Sequence, residues 1–162
     1  MMYSEKEIWS ILEEVEDPEI PIINVVEMGI VRGVKINDEN VEVTITPTYS
    51  GCPAMKTIED DIAEILREKK IGNFHIKTVL SPAWTTDWMT DVAKEKLRST
   101  GIAPPEQTSG DKGLLMGKVR DVSCPRCRSK NTQLISQFGT TACKALYKCN
   151  DCLDPFDYFK CI

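Results

Sequence analysis

Apolar residues first recur with a helical period, at Ile8, Ile11, Leu12 and Val15. That spacing lays them along one face of a helix. Ser4-Glu5-Lys6-Glu7 stands before them as a capping box, in which Ser4 caps and Glu7 reaches back. The helix should stop before Asp17-Pro18, because the residue before a proline avoids helical dihedrals. Residues 30–36 read as a strand, and Asn37-Asp38-Glu39-Asn40 as a turn. Val41, Val43 and Ile45 then alternate with Glu42, Thr44 and Thr46, the period-two pattern of a strand with one buried face. The two strands should form a hairpin. The loop Pro47-Thr48-Tyr49-Ser50-Gly51-Cys52 leads into a second helix, with Pro53 suited to its first position. Ile58, Ile62, Ile65 and Leu66 form its apolar stripe, and Gly72 should end it. A third strand follows through Phe74 and Ile76. Ser81-Pro82-Ala83-Trp84 breaks it, and Thr86 or Asp87 can cap a third helix to about Ser99, closed by Gly101. The order α-β-β-α-β-α predicts an α+β fold, a small mixed sheet with helices.

Beyond Ile102-Ala103-Pro104-Pro105 the pattern changes. Residues 106–113 are polar with glycine, and residues 106–118 read as a linker between a domain of residues 1–105 and a second of residues 119–162. In the second domain, short strands are expected through 132–138, 144–149 and 157–160. Cys124-Pro125-Arg126-Cys127 and Cys149-Asn150-Asp151-Cys152 lie in it, separated by 21 residues. Each Cys-x-x-Cys pair can fold both sulfurs onto one ion, and a hairpin brings the pairs together. Four thiolates close a tetrahedral shell, so Cys124, Cys127, Cys149 and Cys152 read as ligands of structural zinc in a C-terminal zinc ribbon. Four thiolates also suit an iron–sulfur cluster, and two pairs also suit redox dithiols or disulfides. Arg128 departs from the usual knuckle, where glycine follows the second cysteine and a positive φ is convenient. Arginine there costs roughly 1 kcal/mol if the dihedral is kept.

Charge narrows the partners. Residues 1–104 carry 11 Lys+Arg against 19 Asp+Glu, and residues 105–162 carry 9 against 6. A ribbon brought close to neutrality by its thiolates and tethered to an acidic domain is a poor phosphate binder, so nucleic acid is not expected. There is no run of 18 apolar residues and no apolar leader at the N-terminus, so no membrane span is expected either. Seven cysteines without an export signal read as reduced thiols or metal ligands in a cytoplasmic protein.

Cys52 is the first domain's only cysteine, between Gly51 and Pro53 at the predicted mouth of the second helix. Unpaired N–H groups and the helix dipole favour an anion there, which suits a reactive or metal-donating thiolate. Thr46, Thr48, Tyr49 and Ser50 should add hydroxyls nearby. A small residue packed under the helix start is the alternative. Asp17-Pro18-Glu19 could supply a hard ligand beside this soft one, though a turn capped by an Asp is the commoner explanation. His75, the lone histidine, alternates with Phe74 and Ile76 and should face solvent. Cys143 and Cys161 are spare once four ligands are counted. Trp84 and Trp88, four apart, are core by default or an exposed partner surface. No phosphate-binding loop, dinucleotide fingerprint or hydrolytic triad is present.

Asp17-Pro18-Glu19-Ile20-Pro21, Met28-Gly29-Ile30-Val31 and Thr48-Tyr49-Ser50-Gly51-Cys52-Pro53 resemble the MIP-type domain of iron–sulfur assembly factors, carried by SufT and the cytosolic iron–sulfur targeting proteins. Residues 81–88, 101–105, 138–147 and 154–161 resemble the PaaD family of phenylacetate degradation, whose members are also called the J subunit of phenylacetyl-CoA oxygenase. The resemblance implies a non-enzymatic accessory factor. Such a factor would help mature a metal centre in the phenylacetyl-CoA epoxidase system, with its oxygenase or iron–sulfur reductase components as partners. It also implies that Glu19 and Cys52 are the functional pair and handle transient iron or an iron–sulfur cluster. The alternatives are a structural or regulatory subunit of the oxygenase complex and a thiol–disulfide enzyme using Cys52. The latter has no resolving cysteine in the first domain.

Overall fold

The computed structural model describes residues 3–105 and 122–160. Its contacts divide into two compact units. The first holds the residues up to Trp84 together with Trp88–Thr90, and the second holds Thr85–Asp87 and the residues from Asp91 on.

In the first unit, α1 (Glu5–Leu12) opens on the expected capping box. The Ser4 hydroxyl accepts the Glu7 N–H, and the Glu7 carboxylate accepts the Ser4 N–H at 2.8 Å. Ile8, Ile11 and Leu12 are buried, and α1 packs on β1 (Val31–Asn37) and α2 (Ala54–Glu68). β1 and β2 (Asn40–Ile45) form the antiparallel hairpin. Val41, Val43 and Ile45 all point inward, as the alternation predicts. α2 then carries the chain over to β3 (Asn73–Thr78), which pairs parallel to β2, giving a mixed sheet of order β1-β2-β3. His75 is exposed on β3.

α1 ends at Leu12, before Asp17-Pro18 as expected, and the chain then turns back to pair Glu16 with Asn24. Two local expectations are corrected. α2 is stopped by Lys70, not Gly72. Lys70 takes the left-handed conformation (φ 62°), its N–H bonds Arg67 O, and the Ile71 N–H bonds Leu66 O at 3.0 Å. The third helix is broken in two. Thr86–Trp88 forms a short 3-10 turn, and α3 (Asp91–Ser99) follows. The Thr90 N–H bonds Glu27 O at 3.0 Å, so it cannot serve a continuous helix.

The second unit is a four-stranded sheet of order β4-β7-β6-β5. β5 (Thr132–Ser136), β6 (Lys144–Cys149) and β7 (Pro155–Phe159) are antiparallel neighbours. β4 (Ile102–Ala103), which has too few residues to show a period, pairs parallel to β7. α3 packs against β4, so both fall in this unit, whereas the sequence boundary at 105 groups them with the first. β5 stops at Ser136, after a bulge at Ile135. The core gathers Ala103, Val122, Ala145, Tyr147, Phe156 and Tyr158 around the cysteines. Tyr147 stacks on Phe156 at 6.0 Å and meets Tyr158 edge-on at 5.7 Å. The molecule is therefore α+β throughout.

Candidate functional site

The two Cys-x-x-Cys turns meet at one end of the ribbon sheet. The Sγ atoms of Cys124, Cys127, Cys149 and Cys152 all lie within 4.8 Å of one another. Cys124 and Cys152 are 3.7 Å apart, and Cys127 and Cys149 are 3.6 Å apart. A tetrahedral ion with sulfur bonds of about 2.3 Å has sulfur–sulfur edges of about 3.8 Å. The group is thus spaced as a four-thiolate metal site around a single ion. A multi-iron cluster puts its thiolates on different irons and needs them further apart.

The knuckles are built alike. The Cys124 N–H bonds Ser129 O, and the Cys149 N–H bonds Asp154 O, both at 2.9 Å. Each turn then leaves through a left-handed residue, Arg128 (φ 63°) and Leu153 (φ 65°). Arg128 therefore keeps the dihedral for which glycine is usual, and Leu153 does the same. The turns brace each other. Asp151 accepts the Ser129 hydroxyl and, at 2.7 Å, Asn131 Nδ2, while the Asn150 N–H bonds Asn131 O at 2.8 Å. These bonds hold the Asp151 carboxyl below the usual carboxylate range. Ser129, Asn131 and Asp151 escaped the sequence reading, since nothing in their spacing marks them. Their signal is only that they are short polar residues inside or just after a knuckle.

The sulfurs are electrostatically unequal. The N–H of Cys152, 3.5 Å from the Cys149 sulfur, leads the groups that lower that thiol to about 7, against burial. For Cys152 the Asp154 N–H pulls downward. Burial and the neighbouring Cys149, Cys127 and Cys124 outweigh it and push the thiol up to about 12. Four sulfurs this close repel as thiolates, and a cation lets them ionise together.

Cys52 sits where α2 begins, half-buried. Gly51 takes φ 80° and open space surrounds its missing Cβ. The Cys52 N–H bonds Tyr49 O, and its carbonyl accepts the Met55 N–H, both at 3.2 Å. Pro53 occupies the cap position and no side chain caps the helix. The thiol thus stands at an uncapped helix mouth, as its neighbours in sequence imply. Of the hydroxyls expected around it, Thr46 is buried, Thr48 and Tyr49 are half-buried, and Ser50 is exposed.

The Asp17 carboxylate caps the turn. Oδ1 accepts the N–H groups of Glu19 and Ile20 at 2.8 and 2.9 Å. Glu19 rides half-buried on that turn. Among the described residues, the four ribbon cysteines are the one group of three or more ligating side chains drawn together, and neither Cys52 nor Glu19 belongs to it.

Trp84 is core rather than partner surface. It is buried, and its indole N–H donates to Met28 O at 3.1 Å. Trp88 is half-buried, with the Arg32 guanidinium 3.6 Å from its ring centroid. A Cβ on Gly29 would lie 2.5 Å from the Trp88 carbonyl oxygen. Cys143 is buried 3.0 Å from Thr141 Oγ1, and Cys161 lies outside the described residues. No helix among the described residues is long and apolar enough to cross a membrane.

Residues 5–73 match the family of iron-sulfur cluster assembly proteins, and residues 108–160 match the PaaD zinc beta ribbon domain. A protein of Escherichia coli (strain K12), provisionally named as a subunit of 1,2-phenylacetyl-CoA epoxidase, is 47% identical over 156 residues, 96% of this chain and 92% of that one. The Fe-S protein maturation auxiliary factor SufT of Staphylococcus aureus (strain USA300) is 39% identical over 80 residues, 48% of this chain and 90% of its own. Among solved structures, a domain of unknown function, DUF59, from Bacillus anthracis superposes with a TM-score of 0.54 at 29% identity. It covers 57% of this chain and 90% of that one. With both domain matches in one polypeptide and a relative aligned along nearly all of it, the chain belongs to the PaaD family.

Proposed function

We propose that this protein is a non-enzymatic accessory factor that helps load iron or an iron–sulfur cluster into a component of a phenylacetyl-CoA epoxidase system. One observation carries the reading. A single chain joins an iron–sulfur assembly domain to a PaaD ribbon and is similar, along 96% of its length, to a protein named for that epoxidase. On this reading the Cys52 thiolate is the soft donor that holds or passes on the metal, and Glu19 is its harder oxygen partner. The half-exposed helix mouth suits that task, since a donor must be reached by its client. The four ribbon thiolates hold zinc for structure. A closed four-sulfur shell leaves no open position for chemistry, and it supplies folding energy to a small core. The test is to purify the oxygenase and reductase components from cells with and without this protein and measure iron and cluster content. Depleted clients are expected without it, and equal loading would contradict the role.

A second reading, a subunit that stays in the oxygenase complex, is favoured by the word subunit in the name of the Escherichia coli relative. Stoichiometry separates the two. A maturation factor is needed once per client, whereas a subunit is found in every assembly.

A further inference from the structure

Thirteen consecutive residues, 131–143, carry no charge in a chain of which 28% is charged. They form β5, at the edge of the ribbon sheet, and the loop into β6. Edge strands are commonly blunted by lysine or proline, and this one has only the bulge at Ile135. Of the run's three large apolar side chains, Leu134 packs against the ribbon core, while Ile135 and Phe138 look outward at 51% and 66% exposure.

The loop that carries Phe138 is closed by its own bonds. The Ser136 hydroxyl accepts the Phe138 N–H at 3.2 Å and donates to the Phe138 carbonyl at 2.8 Å. The ammonium of Lys160, a residue only 8% exposed, donates to Gln137 O and stands 4.5 Å from the Phe138 ring centroid. The Gly139 N–H bonds Lys144 O at 2.7 Å, and the Thr140 hydroxyl donates to Asp157 at 3.3 Å. A side chain at Gly139 has no room, since its Cβ would lie 2.6 Å from Asp157 Oδ1. Asp157 in β7 and Lys160 just beyond it thus hold the loop. What the loop offers outward is a phenyl ring carried on a hydrogen-bonded backbone.

We propose that Phe138, flanked by Ile135, is a preorganised knob that docks into an uncharged apolar pocket on a folded protein partner. An aromatic side chain on a loop whose backbone is already ordered loses less freedom on binding than one on a loose loop, which favours an interface anchor. The charge-free run selects the partner's chemistry. Its own residues carry no charge, and the nearby Lys160 ammonium is buried and already bonded to Gln137 O, so the exposed patch complements a neutral apolar surface. Size selects the kind of complex. Two side chains bury on the order of a few hundred Å², well short of the roughly 800 Å² per partner of a stable interface. The contact therefore fits a transient visit to a client rather than a lasting dimer of this chain. The inference rests on the accessory role proposed above and names the surface by which the client is met.

The test measures, by titration calorimetry, binding of the full chain to purified oxygenase and reductase components. Wild type is compared with Phe138→Ser, Ile135→Ser and Phe138→Trp, each checked for metal content and thermal unfolding. Phe138→Ser should weaken binding to one component by more than about tenfold. Ile135→Ser should act in the same direction, and Phe138→Trp should bind. Equal affinities for wild type and Phe138→Ser overturn the inference, as does a wild type that binds neither component. A wild-type dimer that Phe138→Ser dissociates, seen by sedimentation, also overturns it, in favour of a second copy as occupant. Failure of the accessory role itself shows differently, as fully iron-loaded clients in cells lacking the protein.

Discussion

Cys52 and Cys143 are both outside the ribbon cluster, yet their settings are opposite. Cys52 is half-exposed at an uncapped helix mouth, and Cys143 is buried against the Thr141 hydroxyl. Alkylation of the native, metal-loaded protein at mildly acidic pH should therefore label Cys52 before Cys143, as read by peptide mass. Slow labelling of Cys52 would mark it as packing. The position of Cys52 was legible because Gly51 and Pro53 announce a turn and a helix start. The fate of Trp84 was not. Spacing alone cannot say whether an aromatic pair is buried, and the acceptor of its indole N–H, Met28 O, comes from a turn 56 residues away. Two changes probe that junction. Trp84→Phe should cost about 1–2 kcal/mol by leaving a buried carbonyl without its donor. Gly29→Ala should cost on the order of 2–4 kcal/mol, because it adds a Cβ against the Trp88 carbonyl at a positive φ. Denaturant unfolding of each variant measures both, and a silent Gly29→Ala would contradict the packing described.

Among the elements, those with a clear period were read in the right place and type, and the two-residue β4 and the 3-10 turn at Thr86–Trp88 were not. α1, α2 and the β1–β2 hairpin carry runs of alternating or helical apolar positions, and β6 was bounded at both ends. β4 has two residues and exists only because β7 offers it an edge. Knuckle geometry follows from the convergence of the four sulfurs more than from propensity. That is why Arg128 and Leu153 accept φ values near 63–65°. Replacing either by glycine should stabilise the loaded protein by about 0.5–1 kcal/mol, the strain relieved less the entropy that glycine adds. No gain in thermal midpoint with metal saturated would contradict that strain. The freshly purified chain should carry one zinc. Cys149→Ser with Cys152→Ser should lose it and unfold the ribbon, as elemental analysis and circular dichroism would record. Since all four thiols must be deprotonated to bind, and Cys152 resists this most with a value near 12, zinc should leave as the pH falls and not as it rises. Retention of zinc by the double variant, or visible cluster absorbance, would count against the assignment.

For the whole molecule, the α+β class and the ribbon at the C-terminal end were legible, because each part carries its own signal: hydrophobic period in one, cysteine spacing in the other. The proposed assembly role came only through resemblance, since Asp17 serves its own turn and Cys52 belongs to no group of three or more ligating side chains among the described residues. A donor that passes metal on need not hold it in a finished shell, so the central claim rests on what happens to the client. The most direct measurement is the iron content of oxygenase and reductase purified from cells in which Cys52→Ala replaces the wild type at normal protein level. The variant should fold, keep its zinc and leave a client short of iron, with growth on phenylacetate failing, and Glu19→Ala should give a milder form. Fully loaded clients and full growth in the Cys52→Ala strain would contradict the account.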